Sequence, residues 1–388
     1  MYMIYIGIDI SKYKHDCFIC NDTGEVIVEN LSFENNKKGF QLFLDLLKPY
    51  DNSNVRIGLE ATGHYGLNLK LFLEKNNYTF MEFNPLLVKE FKKSLTLRRT
   101  KTDKVDAIII CQKLMSVPYK PNPKLFYHKY SIKSLSRLRD SLVRQRSKYM
   151  VQLTNILDIV FPEFKPFFNN KFSTTSIYLL NKYGSAEKIA NMRDFDTPNK
   201  LSKSSFTYAK FAKLKELARN TIGESNKVFE VELHTLISLY NEIDSKIKSL
   251  DKQISTIIKE LNPPTLSIPG IGELTTAVII SEFGDFNKFS NADKLLSFAG
   301  LEPGIYQSGT ILTNGKMVKR GSGYLRYSLM NIANVVIRYN PIFYDFYLKK
   351  RSEGKCHRVA LSHVCKKLLR VIYKLETQNI QFNPSLLK

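Results

Sequence analysis

The sequence predicts an α/β domain built on a mixed sheet, followed by a mostly α-helical remainder. Three observations carry that prediction. Short apolar runs bounded by turn residues alternate with segments of helical period as far as Met115. The proline-bearing stretch "VPYKPNPK" at 117–124 then marks a change of character. Beyond it, an apolar stripe from Phe229 to Leu261 advances by alternating fours and threes, the period of a long packed helix.

Taken in order, Met3 to Ile10 is an apolar strand, His15 to Asn21 a second and Val26 to Phe33 a third, separated by "SKYK" and by the turn-like "NDTGE". Strands joined this closely form an antiparallel meander. In "NNKKGFQLFLDLLKPY", Phe40, Phe43, Leu44 and Leu47 share one helical face, and Pro49 helps to end it. A fourth strand, Val55 to Glu60, leads through "ATGHYG" into a helix carrying Leu67, Leu71 and Leu73. Thr79 to Phe83 is the fifth strand, and Asp103 to Met115 makes the last helix of this part. The order βββαβαβα requires crossover helices for its later strands, hence a mixed sheet with helices on its faces.

After the linker, Ser131 to Val160 reads as one long basic helix with Leu135, Leu138, Leu142, Tyr149 and Ile156 along a seam. Residues 162–225 show no clear pattern. The stripe Phe229, Leu233, Leu236, Tyr240, Ile243, Ile247, Leu250, Ile254, Ile257 and Leu261 argues for a coiled coil, the alternative being an antiparallel pair with the 131–160 helix of the same chain, which would show the same stripe. "NPP" at 262–264 opens a compact carboxy-terminal region. The expected domains are therefore 1–118, 119–262 and 263–388.

Lys and Arg outnumber Asp and Glu by 58 to 36, a net charge of +22 that exceeds what solubility requires and suits a polyanionic partner, nucleic acid first. No apolar run approaches the roughly 20 residues of a membrane helix. The amino-terminal "MYMIYIGIDI" lacks a basic leader and meets Asp9 early, so a soluble, cytoplasmic protein is expected. Five cysteines are too few and too scattered for a disulfide framework. "CFIC" at 17–20 lies in a strand-like stretch, and Cys356, His357, His363 and Cys365 sit on one helical pattern, an unusual source for a structural zinc site.

Within "LRRTKTDKVDAIII", Asp103 and Asp106 are three residues apart, hence on one helix face with Cβ atoms roughly 5 to 6 Å apart. Alone, they fit a solvated helix start with Lys101 and Lys104 as partners. Two further acids change their meaning: Asp9 interrupts the first strand in "YIGIDIS", and Glu60 closes the fourth in "VRIGLEATG". This element order with these acids resembles the ribonuclease H superfamily in its RuvC-like branch. Adjacent strands lie about 5 Å apart, so neighbouring first and fourth strands would set Asp9 beside Glu60. Four carboxylates together repel unless cations sit among them, and two Mg²⁺ ions about 4 Å apart suit in-line phosphoryl displacement. Arg98, Arg99, Lys101 and Lys104 would then hold DNA phosphates at an otherwise repulsive site.

Near the carboxy terminus, "LSIPGIGELTTAVIISEFG" resembles a helix-hairpin-helix motif, in which Gly270 and Gly272 would let backbone N–H groups approach a phosphate; a tight turn between core helices reads the same. In "FAGLEPGIYQSGTILTNGKMVKRGSGYLRYSLM", Ser308 is flanked by Gly304 and Gly309, and Lys316, Lys319, Arg320 and Arg326 follow. A serine among cations suits covalent attack on a phosphodiester, although composition does not separate it from Ser322, Tyr306 or Tyr324, or from a loop that merely holds phosphates.

The blocks "GIDISK", "LEATGHYG", "RRTKTDKVDA", "SIPGIGELTTAVIISEFGD" and "FAGLEPGIYQSGT" together resemble the DEDD-type insertion-sequence transposases of the one-ten group, which are bridge-RNA-guided DNA recombinases. The resemblance covers residues 3–115 and 265–340. It implies Mg²⁺ held by Asp9, Glu60, Asp103 and Asp106, and a nucleophilic serine that falls on Ser308. It further implies DNA and a structured noncoding guide RNA as partners, and a dimer or tetramer in which one protomer's acids meet another's serine. The rivals are a hydrolytic junction-resolving nuclease that uses the acids alone and a non-enzymatic nucleic-acid scaffold.

Overall fold

The computed structural model describes residues 2–61, 63–95, 103–122, 126–308 and 311–387, without the side chains of 103, 126–129, 303, 305–308, 311–316, 386 and 387. These residues form two compact units, one of 1–130 with 285–290, the other of 131–284 with 291–388.

The first unit is built on five strands, β1 (Ile4–Ile10), β2 (Lys14–Asn21), β3 (Val26–Glu34), β4 (Val55–Glu60) and β5 (Phe80–Phe83). Their order across the sheet is β3-β2-β1-β4-β5. The expected meander β1-β2-β3 is antiparallel, whereas β4 and β5 run parallel to β1. The crossovers are α1 (Lys37–Leu47), which Asn36 caps by accepting the Gly39 N–H at 2.9 Å, and α2 (Leu67–Lys75).

Alternation divides the strands between two faces. Ile4, Ile6, Ile8 and Ile10 point to one face and pack with Phe33, Phe43 and Leu47 and with Leu69 and Leu73 of α2. The opposite face is covered by α4 (Asp103–Met115), with α3 (Pro85–Leu95) beside it. Two glycines admit α4. A Cβ on Gly7 would lie 2.2 Å from the Ala107 carbonyl oxygen, and one on Gly58 would reach Phe83, Ile110 and Leu114 within 3.4 Å. The apolar spacing did not reveal α3, because Leu86 and Leu87 are exposed and only Val88 is buried.

The second unit is mostly helical. Its two longest elements, α5 (Phe126–Val160) and α11 (Lys227–Leu261), run antiparallel. Arg139 pairs with Asp251 at 2.7 Å, Arg146 pairs with Asp244, and Ile132 packs near Ile254 and Ile258 while Leu153 and Ile156 pack near Leu233 and Ile237. The 229–261 stripe therefore faces a partner helix of the same chain. Of the two readings that the sequence allows for the stripe, this is the antiparallel pair within one chain; Leu261 at its end stays exposed.

Between the long helices lie α6 (Phe164–Phe167), α7 (Thr174–Tyr183), α8 (Ala186–Ala190), α9 (Asp196–Leu201) and α10 (Tyr208–Arg219). Phe161, Phe164, Phe206 and Phe211 gather them onto one apolar cluster. Helix α12 (Glu273–Phe283) follows a four-residue 3₁₀ turn at Pro264–Ser267, where a helix-hairpin-helix would have a full helix. After α13 (Ala292–Ala299) comes an antiparallel hairpin, β6 (Pro303–Ser308) and β7 (Ile311–Met317), within what the sequence presents as a helical region. Three helices close the unit: α14 (Gly323–Tyr339), α15 (Pro341–Ser352) and α16 (His357–Gln378).

Candidate active site

Register places the first two acids. Ile8 of β1 pairs in parallel with Leu59 of β4, and the next residue on each strand is Asp9 and Glu60. In-register residues of parallel neighbours point the same way. Asp9 lies two residues beyond Gly7, and Glu60 two beyond Gly58, so both carboxylates share the face covered by α4. Each is partly buried.

Helix α4 brings its first turn to the same level. Ala107 and Cys111 lie over Gly7, while Ile110 and Leu114 lie over Gly58. Met115 lies 3.6 Å from the Sγ of Cys20, the cross-strand partner of Tyr5 farther from the strand ends, so the helix points its amino terminus toward the carboxyl ends of β1 and β4. One turn before Ala107 stands Asp103, and one turn before Ile110 stands Asp106. The Asp106 carboxylate accepts a hydrogen bond from the Lys92 ammonium of α3 at 2.6 Å, each side chain about one-fifth exposed. Only the backbone of Asp103 is described.

Among the described residues no three ligand-type side chains are gathered closely enough to hold a metal. The chemistry of the donor set still fits a hard divalent cation. The acids at this end of the α4 face offer only carboxylate oxygens, the donors that Mg²⁺ takes. The Lys92 ammonium already stands where Asp106 meets a positive charge.

A further acid on this face escaped the sequence reading. Asp16 of β2 is the cross-strand partner of Asp9 and is almost fully buried. In one dimension it is an unremarked polar residue in an alternating strand; only the register sets it opposite Asp9.

Of the cations expected to hold phosphates, Arg98, Arg99 and Lys101 lie outside the described residues. Lys104 forms a surface pair with Glu29 of β3 at 2.9 Å, and its hydrogen bond, then its charge, hold the Glu29 carboxyl below the usual range. In the second unit, Lys319 and Arg320 are exposed, and Arg326 donates to the Lys319 carbonyl at 3.4 Å. The Lys316 side chain is not described. Gly270 has φ +95° and rests against Val336 of α14, whereas Gly272 stands exposed at the start of α12 with open space beside it.

Ser308 ends β6 in register with Ile311, flanking residues 309–310, which lie outside the description, as does the Ser308 side chain. Ser322 has another employment: its Oγ accepts the Leu325 N–H at 3.2 Å and caps α14. Tyr324 donates to the Ser136 carbonyl at 3.2 Å, and burial, then the charges of Asp140 and Glu282, push its phenol up to about 12. The Tyr306 side chain is not described.

The cysteine patterns dissolve in three dimensions. Cys17 packs among the isoleucines of one face and Cys20 on the other, where its Sγ lies 3.5 Å from that of Cys111. On α16, Cys365 is buried while Cys356, just before the helix, is exposed.

Comparison with known proteins adds an independent line. A family model described as a transposase, of DEDD type and named for IS110, matches residues 6–162, and one described as transposase IS116/IS110/IS902 family matches 265–348. The chain is 28% identical to a pilin gene-inverting protein of Moraxella bovis over 98% of this chain and 97% of that one. It is 23% identical to a mini-circle putative transposase for IS117 of Streptomyces coelicolor, over 94% and 92%. A transposase for insertion sequence element IS1111A of Coxiella burnetii is 29% identical over 32% of this chain and 34% of its own.

Proposed function

Given that the chain belongs to the IS110-type transposase family and is a DNA transposase/recombinase, we propose that it cuts and rejoins DNA through the α4-face carboxylates and Ser308, guided by a structured noncoding RNA. One observation carries the reading: Asp9 and Glu60 follow directly on a paired Ile8 and Leu59, beneath the helix turn that bears Asp103 and Asp106.

In the cutting step the Ser308 Oγ attacks a backbone phosphorus. An Oγ–P bond forms and the bond from phosphorus to one deoxyribose oxygen breaks. The serine's proton passes to a carboxylate of the row and from there to the departing deoxyribose oxygen, which leaves as a hydroxyl. Rejoining runs the same exchange backwards, with a deoxyribose hydroxyl from another strand as the attacking group, so phosphodiester bonds are conserved. Asp9, Glu60, Asp103 and Asp106 would hold Mg²⁺, which would supply charge stabilisation for the crowded phosphate oxygens. Lys316, Lys319, Arg320 and Arg326, with Arg98, Arg99, Lys101 and Lys104, hold backbone phosphates, as do the amides around Gly270 and Gly272. The acids of one protomer serve the serine of another in a homo-oligomer, and base pairing with the RNA selects the target.

The test is a reaction of protein, element-end DNA and the element's RNA, analysed after denaturation. A covalent protein–DNA adduct that vanishes in Ser308→Ala supports the reading. Free cut ends and activity that survives Ser308→Ala support the hydrolytic nuclease instead.

A further inference from the structure

Asp16 and the sheet around it carry an inference beyond the four acids. Asp16 stands directly across the β1–β2 ladder from Asp9, and the flanking pairs Gly7↔Phe18 and Tyr5↔Cys20 fix its side chain on the α4 face. That side chain is 5% exposed. Its ion-pair partner is Lys14, two residues back on the same strand, at 3.2 Å and half exposed at 49%.

Such a placement costs stability in two ways. Like charges opposite one another on paired strands repel. A carboxylate withdrawn from water loses hydration that a half-solvated lysine restores only in part. Its α4-face neighbours on β2, Phe18 and Cys20, are buried apolar side chains, as are Cys17 and Ile19 on the other face, while the buried His15 and Asn21 are ordinarily uncharged. A local rule broken beside a candidate site points to function rather than to folding.

We propose that Asp16 is a positioning residue for the divalent cation, an inference that rests on the reading of Asp9 as a cation-holding acid. Its negative charge, fixed beside Asp9 where water screens it poorly, draws the cation to the Asp9 end of the row and holds the Asp9 carboxylate toward it. The repulsion between the two acids in the metal-free protein is relieved when the cation arrives. Lys14, half in water, moderates that repulsion.

The experiment is Mn²⁺ binding to the full-length protein without nucleic acid, followed by the electron paramagnetic resonance signal of free Mn²⁺, together with thermal unfolding in EDTA. D16N should weaken binding about 10- to 100-fold, the range found when groups that support metal ligands are removed. Its unfolding temperature in EDTA should hold or rise, because the opposition to Asp9 is gone. A structural ion pair predicts the reverse, a lower unfolding temperature with unchanged Mn²⁺ affinity, and unchanged affinity overturns the proposal whatever the stability. Should D16N fail to fold, Lys14→Met decides: tighter binding supports the proposal, and unchanged or weaker binding overturns it. Asp9→Asn separates the two readings. If D9N weakens binding and D16N does not, the role of Asp16 alone is lost; if D9N leaves binding intact, the reading of the whole row fails.

Discussion

Gly7 lies so close beneath Ala107 that a methyl group on it would sit 2.2 Å from the Ala107 carbonyl oxygen. The contact sets the height of α4 above the sheet, and with it the height of the helix turn that bears Asp103 and Asp106. Gly7→Ala must push backbone against backbone, where no side chain can yield. A loss of about 1–3 kcal/mol or more in chemical denaturation is expected, together with strand cleavage reduced well beyond the fraction unfolded. Wild-type stability in G7A would show that the helix is not held at this height.

Lys92 and Asp106 make the second prediction. An ammonium 2.6 Å from a candidate ligand competes with any metal for the same oxygen. Lys92→Met should lower the Mg²⁺ concentration needed for half-maximal cleavage several-fold, whereas Lys92→Arg, which keeps the charge, should leave it near wild type. An unchanged requirement in K92M would mean that Asp106 does not meet the metal.

The two serines should separate cleanly. Ser322 caps α14, so Ser322→Ala should cost about 1 kcal/mol of stability. The same variant should leave the covalent adduct intact at a temperature where it is folded. Loss of the adduct in S322A, at full occupancy of the folded state, would transfer the nucleophile's role to Ser322.

Ile254 tests the antiparallel pairing of α5 and α11. It is 1% exposed among Ile132, Ile258 and Ala277. Ile254→Ala should cost about 2–5 kcal/mol, and, because the seam lies within one chain, the loss should not depend on protein concentration. A concentration-dependent unfolding midpoint that moves with I254A would instead place a second chain on the stripe.

His15 gives the pH dependence. Its ring is buried edge-on to Phe33, with centroids 5.3 Å apart, and stacked on Phe40 at 6.0 Å. Burial lowers its pKa from the ordinary 6.5, against the opposing Asn35 amide and Asp16 charge. The unfolded chain therefore binds the proton at a higher pH than the folded one. Stability contributed by the neutral ring is present above 6.5 and lost as pH falls from there through the lowered value. The unfolding temperature should drop between about pH 7.5 and about pH 5.5, and drop less in His15→Leu. Equal drops in both proteins would exclude His15 as the source.

The strands and the helices that cross between them were legible in the sequence because alternation and helical period are local. β4 and the span of α4 fall where the spacing put them, and the other strands shift by a residue or so at their ends. What was not legible depends on contacts distant in the chain. The 229–261 stripe records an apolar partner without saying which chain supplies it, and the Arg139–Asp251 and Arg146–Asp244 pairs, with Ile132 beside Ile254 and Ile258, identify α5. Helix α3 has too narrow an apolar face to stand out, so Lys92 was missed. Asp16 acquires meaning only from the register that sets it opposite Asp9. The β6–β7 hairpin was hidden by glycines and cations that look the same in an irregular loop.

The central claim is that carboxylates from β1, β4 and the start of α4 converge on divalent cations. Anomalous scattering from crystals of the full-length protein grown with Mn²⁺ measures this directly. A peak within about 2.4 Å of carboxylate oxygens from Asp9, Glu60 and at least one of Asp103 and Asp106 is the predicted result. Manganese bound elsewhere, with Asp9 and Glu60 left without it, would contradict the account.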